Sequence, residues 1–263
     1  MKKIIDWRPK DDPFTKEGEI LLHEKIHEQK SQKGLFRNNP NRIRQLIKAE
    51  KIIGKKINGK VLEIGAGNGY MSIYIAKNRE IEQVYVLECT KNGVDLLIRE
   101  NFIKNKVKKN KYELVLGSFN SIPLIEKFDF VLAFGALHHS ANLQRTIDEV
   151  FKTLKPGGYL IAQEPYTNDN TQNNFFIEMK NKVVSVQGLI EIKNELRDDN
   201  FYRKCEYLTA SYHAGFEKVI LKRLINIKRQ ISYLLKFKKH LTNNMLLILN
   251  KGNISNSTPN RWK

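Results

Sequence analysis

Cysteine is scarce in this chain, long apolar runs are missing, and acidic side chains are outnumbered. Only Cys89 and Cys205 occur among 263 residues, too few for a disulfide framework. No apolar run approaches the roughly 18 residues that a membrane span needs, and no secretory apolar segment follows Met1-Lys2-Lys3. These shortages give the expectation of a cytoplasmic protein in a reducing compartment. A zinc site is also not expected. His23-Glu24-Lys25-Ile26-His27 matches the His-Glu-x-x-His spacing, but the segment is short and lysine-rich, and no third ligand follows it.

The acidic deficit is uneven. Against a net charge of +18, residues 1–60 hold 16 Lys and Arg and 8 Asp and Glu, residues 61–165 hold 13 and 12, and residues 200–263 hold 13 and 2. A nearly neutral centre thus lies between basic flanks. Such flanks attract an anionic partner: a phosphorylated small molecule, nucleic acid or an acidic membrane surface. A solvated, lysine-rich background accounts for them equally well.

In the neutral centre, Val61-Leu-Glu-Ile-Gly-Ala-Gly-Asn-Gly-Tyr70 reads as strand, tight turn and helix. Gly65, Gly67 and Gly69 stand at alternate positions, where a backbone without Cβ can approach a ligand. A third glycine at position 70 would complete a dinucleotide fingerprint, but that position is Tyr70. The carboxylate of Glu63, just before the turn, would also repel a pyrophosphate and tolerate a cation. Glu88, at the end of the next predicted strand and 19 residues after Gly69, is placed to accept hydrogen bonds from a ribose diol.

Further strands are predicted over residues 112–116, 128–134 and 159–163. The fourth, Phe128 to Phe134, runs into Gly135-Ala-Leu-His-His139. A helix with Leu143, Ile147, Val150 and Phe151 follows, and then the turn Leu154-Lys-Pro-Gly-Gly158.

The acidic residue with Gly-x-Gly-x-Gly, the acid ending strand two, the Leu-His-His segment and the Leu-Lys-Pro-Gly-Gly turn resemble, in that order, the class I S-adenosylmethionine-dependent methyltransferases. The resemblance covers residues 61–165. It implies an α/β fold with a Rossmann-like, mostly parallel sheet whose strand seven is antiparallel, an N-terminal helical cap and inserted helices. It also implies S-adenosyl-L-methionine as cofactor, leaving S-adenosyl-L-homocysteine as product. Cofactor contacts are expected from Glu63, Gly65, Ala66, Gly67, Gly69, Glu88, Cys89, Ser118, Phe119 and Phe134. Ser118 stands where the family usually presents an Asp to the adenine amino group, and Phe119 is placed to stack on the ring.

Around that core the implied parts are a helical cap over residues 1–59, an acceptor-binding lid over 166–215, C-terminal strands with a basic inserted helix over 216–252, and a disordered tail from 253. The inserted helix, within residues 222–240, could face a membrane, RNA, a second subunit or its own core. His138 and His139 are the candidate bases for a hydroxyl acceptor, because imidazole titrates near working pH, and Glu164 is the second candidate. The opposing reading makes Leu-His-His a structural turn. No Asn/Asp-Pro-Pro-Tyr/Phe segment follows strand four, which argues against amino methylation. O-methylation of a small anionic metabolite is therefore favoured: a nucleotide-linked, phosphorylated or capsule and surface-glycan precursor, with a phosphoramidate as the most specific form. An RNA-modifying enzyme and a non-catalytic cofactor-binding protein are the alternatives.

Overall fold

The computed structural model describes residues 2–9, 40–125, 127–140, 142–169, 190–192, 195–197, 202–224 and 242–253. The helix carrying His23 and His27, most of the expected lid, the inserted helix over 225–240 and the tail lie outside the described residues.

Eight strands form one sheet in the order β1-β4-β3-β2-β5-β6-β10-β9. Their ranges are β1 (Ile4–Asp6), β2 (Gly59–Ile64), β3 (Ile81–Glu88), β4 (Tyr112–Leu116), β5 (Phe128–Phe134), β6 (Leu154–Thr167), β9 (Lys218–Leu224) and β10 (Thr242–Asn250). A separate two-stranded ribbon pairs β7 (Ile190–Ile192) with β8 (Glu195–Arg197). From β1 to β6 all neighbours are parallel, whereas β10 runs antiparallel to both β6 and β9. This is the Rossmann-like sheet with one reversed strand that the family resemblance implied.

The central strands are buried on both faces, so they read as continuous apolar runs and not as alternation. Leu62, Ile64, Val131 and Ala133 face one core, which Leu143, Ile147 and Val150 of α4 (Leu143–Thr153) and Tyr207 and Ala210 of α5 (Lys204–Ala214) complete. Val61, Phe130, Leu132 and Phe134 face the other. There they meet Leu46 and Ala49 of α1 (Pro40–Ile53), Met71 and Ile73 of α2 (Tyr70–Ala76), and Phe102 of α3 (Glu100–Lys104). The chain enters α3 through a π-helical stretch, Gly93–Arg99, which buries Val94, Leu97 and Ile98.

Two features depart from the expectation. Strand β1 extends the sheet beyond β4, and three residues are too short a pattern to read in advance. Strand β6 continues through Thr167, where a polar helical segment was expected from Tyr166, because β10 pairs with it along its whole second half, up to Thr242 opposite Thr167. No helix among the described residues is long and apolar enough to cross a membrane.

Candidate active site

Chain order reverses between β2 and β5: β2 connects onward to β3 on one side, while β5 leads to β6 on the other. The carboxyl ends of strands flanking such a reversal splay apart and leave a crevice for a ligand. The turn after β2 and the turn after β5 both open there.

The three glycines of the first turn all take positive φ, but they serve different ends. A Cβ on Gly65 would stand 2.7 Å from the Ala136 methyl and 4.0 Å from the Phe119 ring, so this glycine lets the two strand ends meet. Gly69 likewise lies against Ile98 and Phe102. At Gly67 a Cβ would meet nothing within 4 Å, which makes it the one glycine of the turn with open space above it. Its N–H donates to Glu88 Oε2 at 2.9 Å, and the Cys89 N–H and Sγ donate to Glu88 Oε1 at 2.9 and 3.2 Å. Backbone amides thus aim a mostly buried carboxylate at the rim of the turn.

Glu63 sits behind the turn. Its Oε2 accepts from Ser72 N at 2.9 Å and from Ser72 Oγ, so it ties β2 to the start of α2. Burial pushes its pKa up to about 7, against the pull of the Ser72 bonds and the Arg42 guanidinium. Ser118 is buried with its hydroxyl accepting from Asn120 N at 3.1 Å. Beside it, Trp7 packs on Gly117 and stacks on Tyr85 with ring centroids 5.9 Å apart. Nothing local to Trp7 announced this role, because its place depends on the unforeseen strand β1.

Three expected site residues, Phe134, Ala66 and Glu164, are held in the interior. Phe134 is 1 % exposed and part of the core beneath the crevice, so its side chain has no face to offer a cofactor. Ala66 also points its methyl inward, and it contributes backbone only, with its N–H on Leu87 O. Glu164 is not a free base. It is 0 % exposed, and its two oxygens accept from Ala136 N (2.9 Å), Leu137 N (3.0 Å), His138 N (3.3 Å) and His138 Nδ1 (2.8 Å). Those four contacts match the four lone-pair positions of a carboxylate. Leu137–His139 forms a single 3-10 turn around this anchor, with the two imidazole rings 4.0 Å apart.

Three polar side chains at the same edge were not anticipated: Arg42 and Gln45 of α1, and Gln163 of β6. The only sequence signal was a helix face on which Arg42 and Gln45 interrupt the apolar Leu46 and Ala49.

A glycine turn at a sheet reversal with an acid at the neighbouring strand's tip defines a nucleoside-binding α/β domain. The family model for the methyltransferase domain matches residues 55–211, more than half of the chain, and the chain belongs to that family. It is similar to a sterol 24-C-methyltransferase of Aspergillus fumigatus, at 27% identity over 63% of this chain and 41% of that protein. It is also similar to a malonyl-[acyl-carrier protein] O-methyltransferase of Priestia megaterium, at 24% identity over 38% and 35%. The chain therefore spans well under half the length of these relatives. Among solved structures, the Haemonchus contortus phosphoethanolamine N-methyltransferase 2 in complex with S-adenosyl-L-methionine matches with a TM-score of 0.59. That match has 15% identity and covers 80% of this chain and 52% of that one.

The cofactor of this family, S-adenosylmethionine, fits the residues present. Gly67 leaves room where any side chain would intrude, and Glu88 brings acceptor oxygens for a diol to the rim of the same turn. Glu88→Ala is expected to weaken S-adenosylhomocysteine binding by about 1.5–3 kcal/mol through the lost charged hydrogen bonds. Calorimetric titration of the two proteins checks this, and equal affinities would remove Glu88 from the site.

Proposed function

We propose that this chain is the catalytic part of an S-adenosylmethionine-dependent O-methyltransferase for a small anionic acceptor, such as a nucleotide-linked, phosphorylated or surface-glycan precursor. When bound, the cofactor supplies a methyl group on a positively charged sulfur. The chain has then to hold the acceptor in line with that bond and to remove one proton.

The observation that carries the oxygen assignment is the 2.8 Å contact between His138 Nδ1 and Glu164. A carboxylate on Nδ1 holds the proton there and leaves Nε2 as a lone pair, the tautomer a general base requires. The same carboxylate fixes the backbone on which the imidazole stands, so base and strand end move as one unit. His139, stacked beside it, lacks this connection to Glu164. The relatives are named for carbon, oxygen and nitrogen methylation, so the preference for oxygen rests on this pair of side chains.

His138→Ala is expected to lower turnover by about 10²- to 10⁴-fold while S-adenosylhomocysteine affinity stays nearly unchanged. His139→Ala is expected to cost far less. Release of S-adenosylhomocysteine in the presence of activated sugars, nucleotides or RNA is the readout. Full activity in both variants would dismiss imidazole as the base, and turnover on RNA alone would replace the small-molecule reading with nucleic-acid modification.

A further inference from the structure

Arg42 opens α1 one turn from its start, on a helix whose first turn holds no acidic residue. Its Nη2 atom lies 2.8 Å from where a Cβ of Gly135 would stand, and His138 Cε1 lies 3.8 Å from the same point. Gly135, at φ 74, is what lets the guanidinium come this close to the strand end. Arg42 is half-buried and makes no hydrogen bond or ion pair with the described residues. Glu63, which feels its charge, is fully buried and bonded to Ser72.

Gln45 lies one turn further along the same helix face, with Leu46 and Ala49. Its Oε1 is buried and has no hydrogen-bond partner. Gln163 stands opposite Phe134 in the sheet, and its carbonyl accepts from Gly135 N at 2.8 Å. Strand alternation puts its side chain on the face of Ile161, which is the face that α1 covers. Its Oε1 is likewise buried without a partner. Among the described residues, a half-buried cation beside the candidate base and two buried amide oxygens on the same face of the sheet thus lack hydrogen-bond partners. Each such group costs free energy unless something polar completes it.

We propose that Arg42, Gln45 and Gln163 form a subsite for a small carboxylate or phosphate that carries hydrogen-bond donors next to its charge. The guanidinium fork takes the anion through two parallel N–H···O bonds, and the amide oxygens accept from a neighbouring ammonium or hydroxyl group. Two ligands of the methyltransferase reading present this chemistry, the amino-acid end of the cofactor and a hydroxylated anionic acceptor. The subsite itself stands on the geometry, and only the choice between those sources rests on that reading.

The test titrates three probes into wild type, Arg42→Ala and Gln163→Leu, at matched ionic strength so that the net charge of +18 does not enter. The probes are S-adenosylhomocysteine, methylthioadenosine, which lacks the amino-acid end, and inorganic phosphate against S-adenosylhomocysteine-saturated protein. If the anion belongs to the cofactor, S-adenosylhomocysteine affinity falls at least tenfold in both variants and methylthioadenosine affinity does not. If it belongs to the acceptor, cofactor affinity is kept, and wild type binds phosphate at least tenfold more tightly than either variant. All three affinities unchanged in folded variants overturns the subsite. Because S-adenosylhomocysteine then still binds, the transferase reading survives that failure. Arg42→Lys, which keeps charge and stem but loses the fork, carries the same comparison should the alanine variant not fold.

Discussion

Glu164→Ala is expected to be the most damaging single substitution in this chain, lowering the free energy of unfolding by about 3–5 kcal/mol. The carboxylate accepts from three successive backbone N–H groups and one imidazole at 2.8–3.3 Å, at a position with 0 % exposure. Removing it strands those donors where water does not reach, at a cost of about 1–3 kcal/mol for each that stays unpaired. Relaxation of the 3-10 turn recovers part of that. Glu164→Gln keeps the volume but points an amide NH2 at groups that are themselves donors, so it is expected to fall between wild type and alanine. Urea denaturation of the three proteins measures the order. A loss below about 1 kcal/mol in the alanine variant would mean that the turn holds without its anchor. The proposed base His138 would then lose its orienter as well.

The second large effect separates two glycines of one turn. Gly65→Ala is expected to cost about 2–5 kcal/mol of stability. A non-glycine residue at φ 61 carries about 1–2 kcal/mol of backbone strain, and a Cβ placed 2.7 Å from the buried Ala136 methyl adds about 1–3 kcal/mol of overpacking. Gly67→Ala bears the backbone strain alone, because its Cβ would stand in open space. Its damage is expected in ligand binding, with S-adenosylhomocysteine affinity falling at least tenfold while the fold persists. Unfolding curves and calorimetry on the same two proteins give both numbers. Undiminished affinity in the Gly67 variant would move the ligand away from this turn.

Those two cases show where the chain was readable. The glycine turn is a local device: an apolar strand, three glycines and a helix within sixteen residues, so spacing alone revealed it. The strands over 112–116 and 128–134 were equally plain, because doubly buried parallel strands appear as nearly continuous apolar runs, interrupted here by Glu113 and Asp129 alone. The π-helical entry to α3, the strand β1 and the extension of β6 were not legible. The last two are settled by neighbours distant in the chain, Leu114 to Leu116 for β1 and Thr242 to Asn244 for β6. Phe134 illustrates the same limit at the site. The family resemblance placed it among the cofactor contacts, but which way a strand-end side chain points depends on the layer packed against it.

What the sequence determined by itself is the α/β class and the glycine and acid pair that suits an adenosyl donor, because each is encoded by residues close together in the chain. Only tertiary structure decided that Glu164 accepts from three backbone amides and an imidazole, and that Arg42 and Gln45 share with Gln163 the face that α1 covers although more than a hundred residues separate them. A buried polar group takes its meaning from the donors and acceptors that surround it, and those are supplied by the packing of α1 and β5 against β6, not by the order of residues.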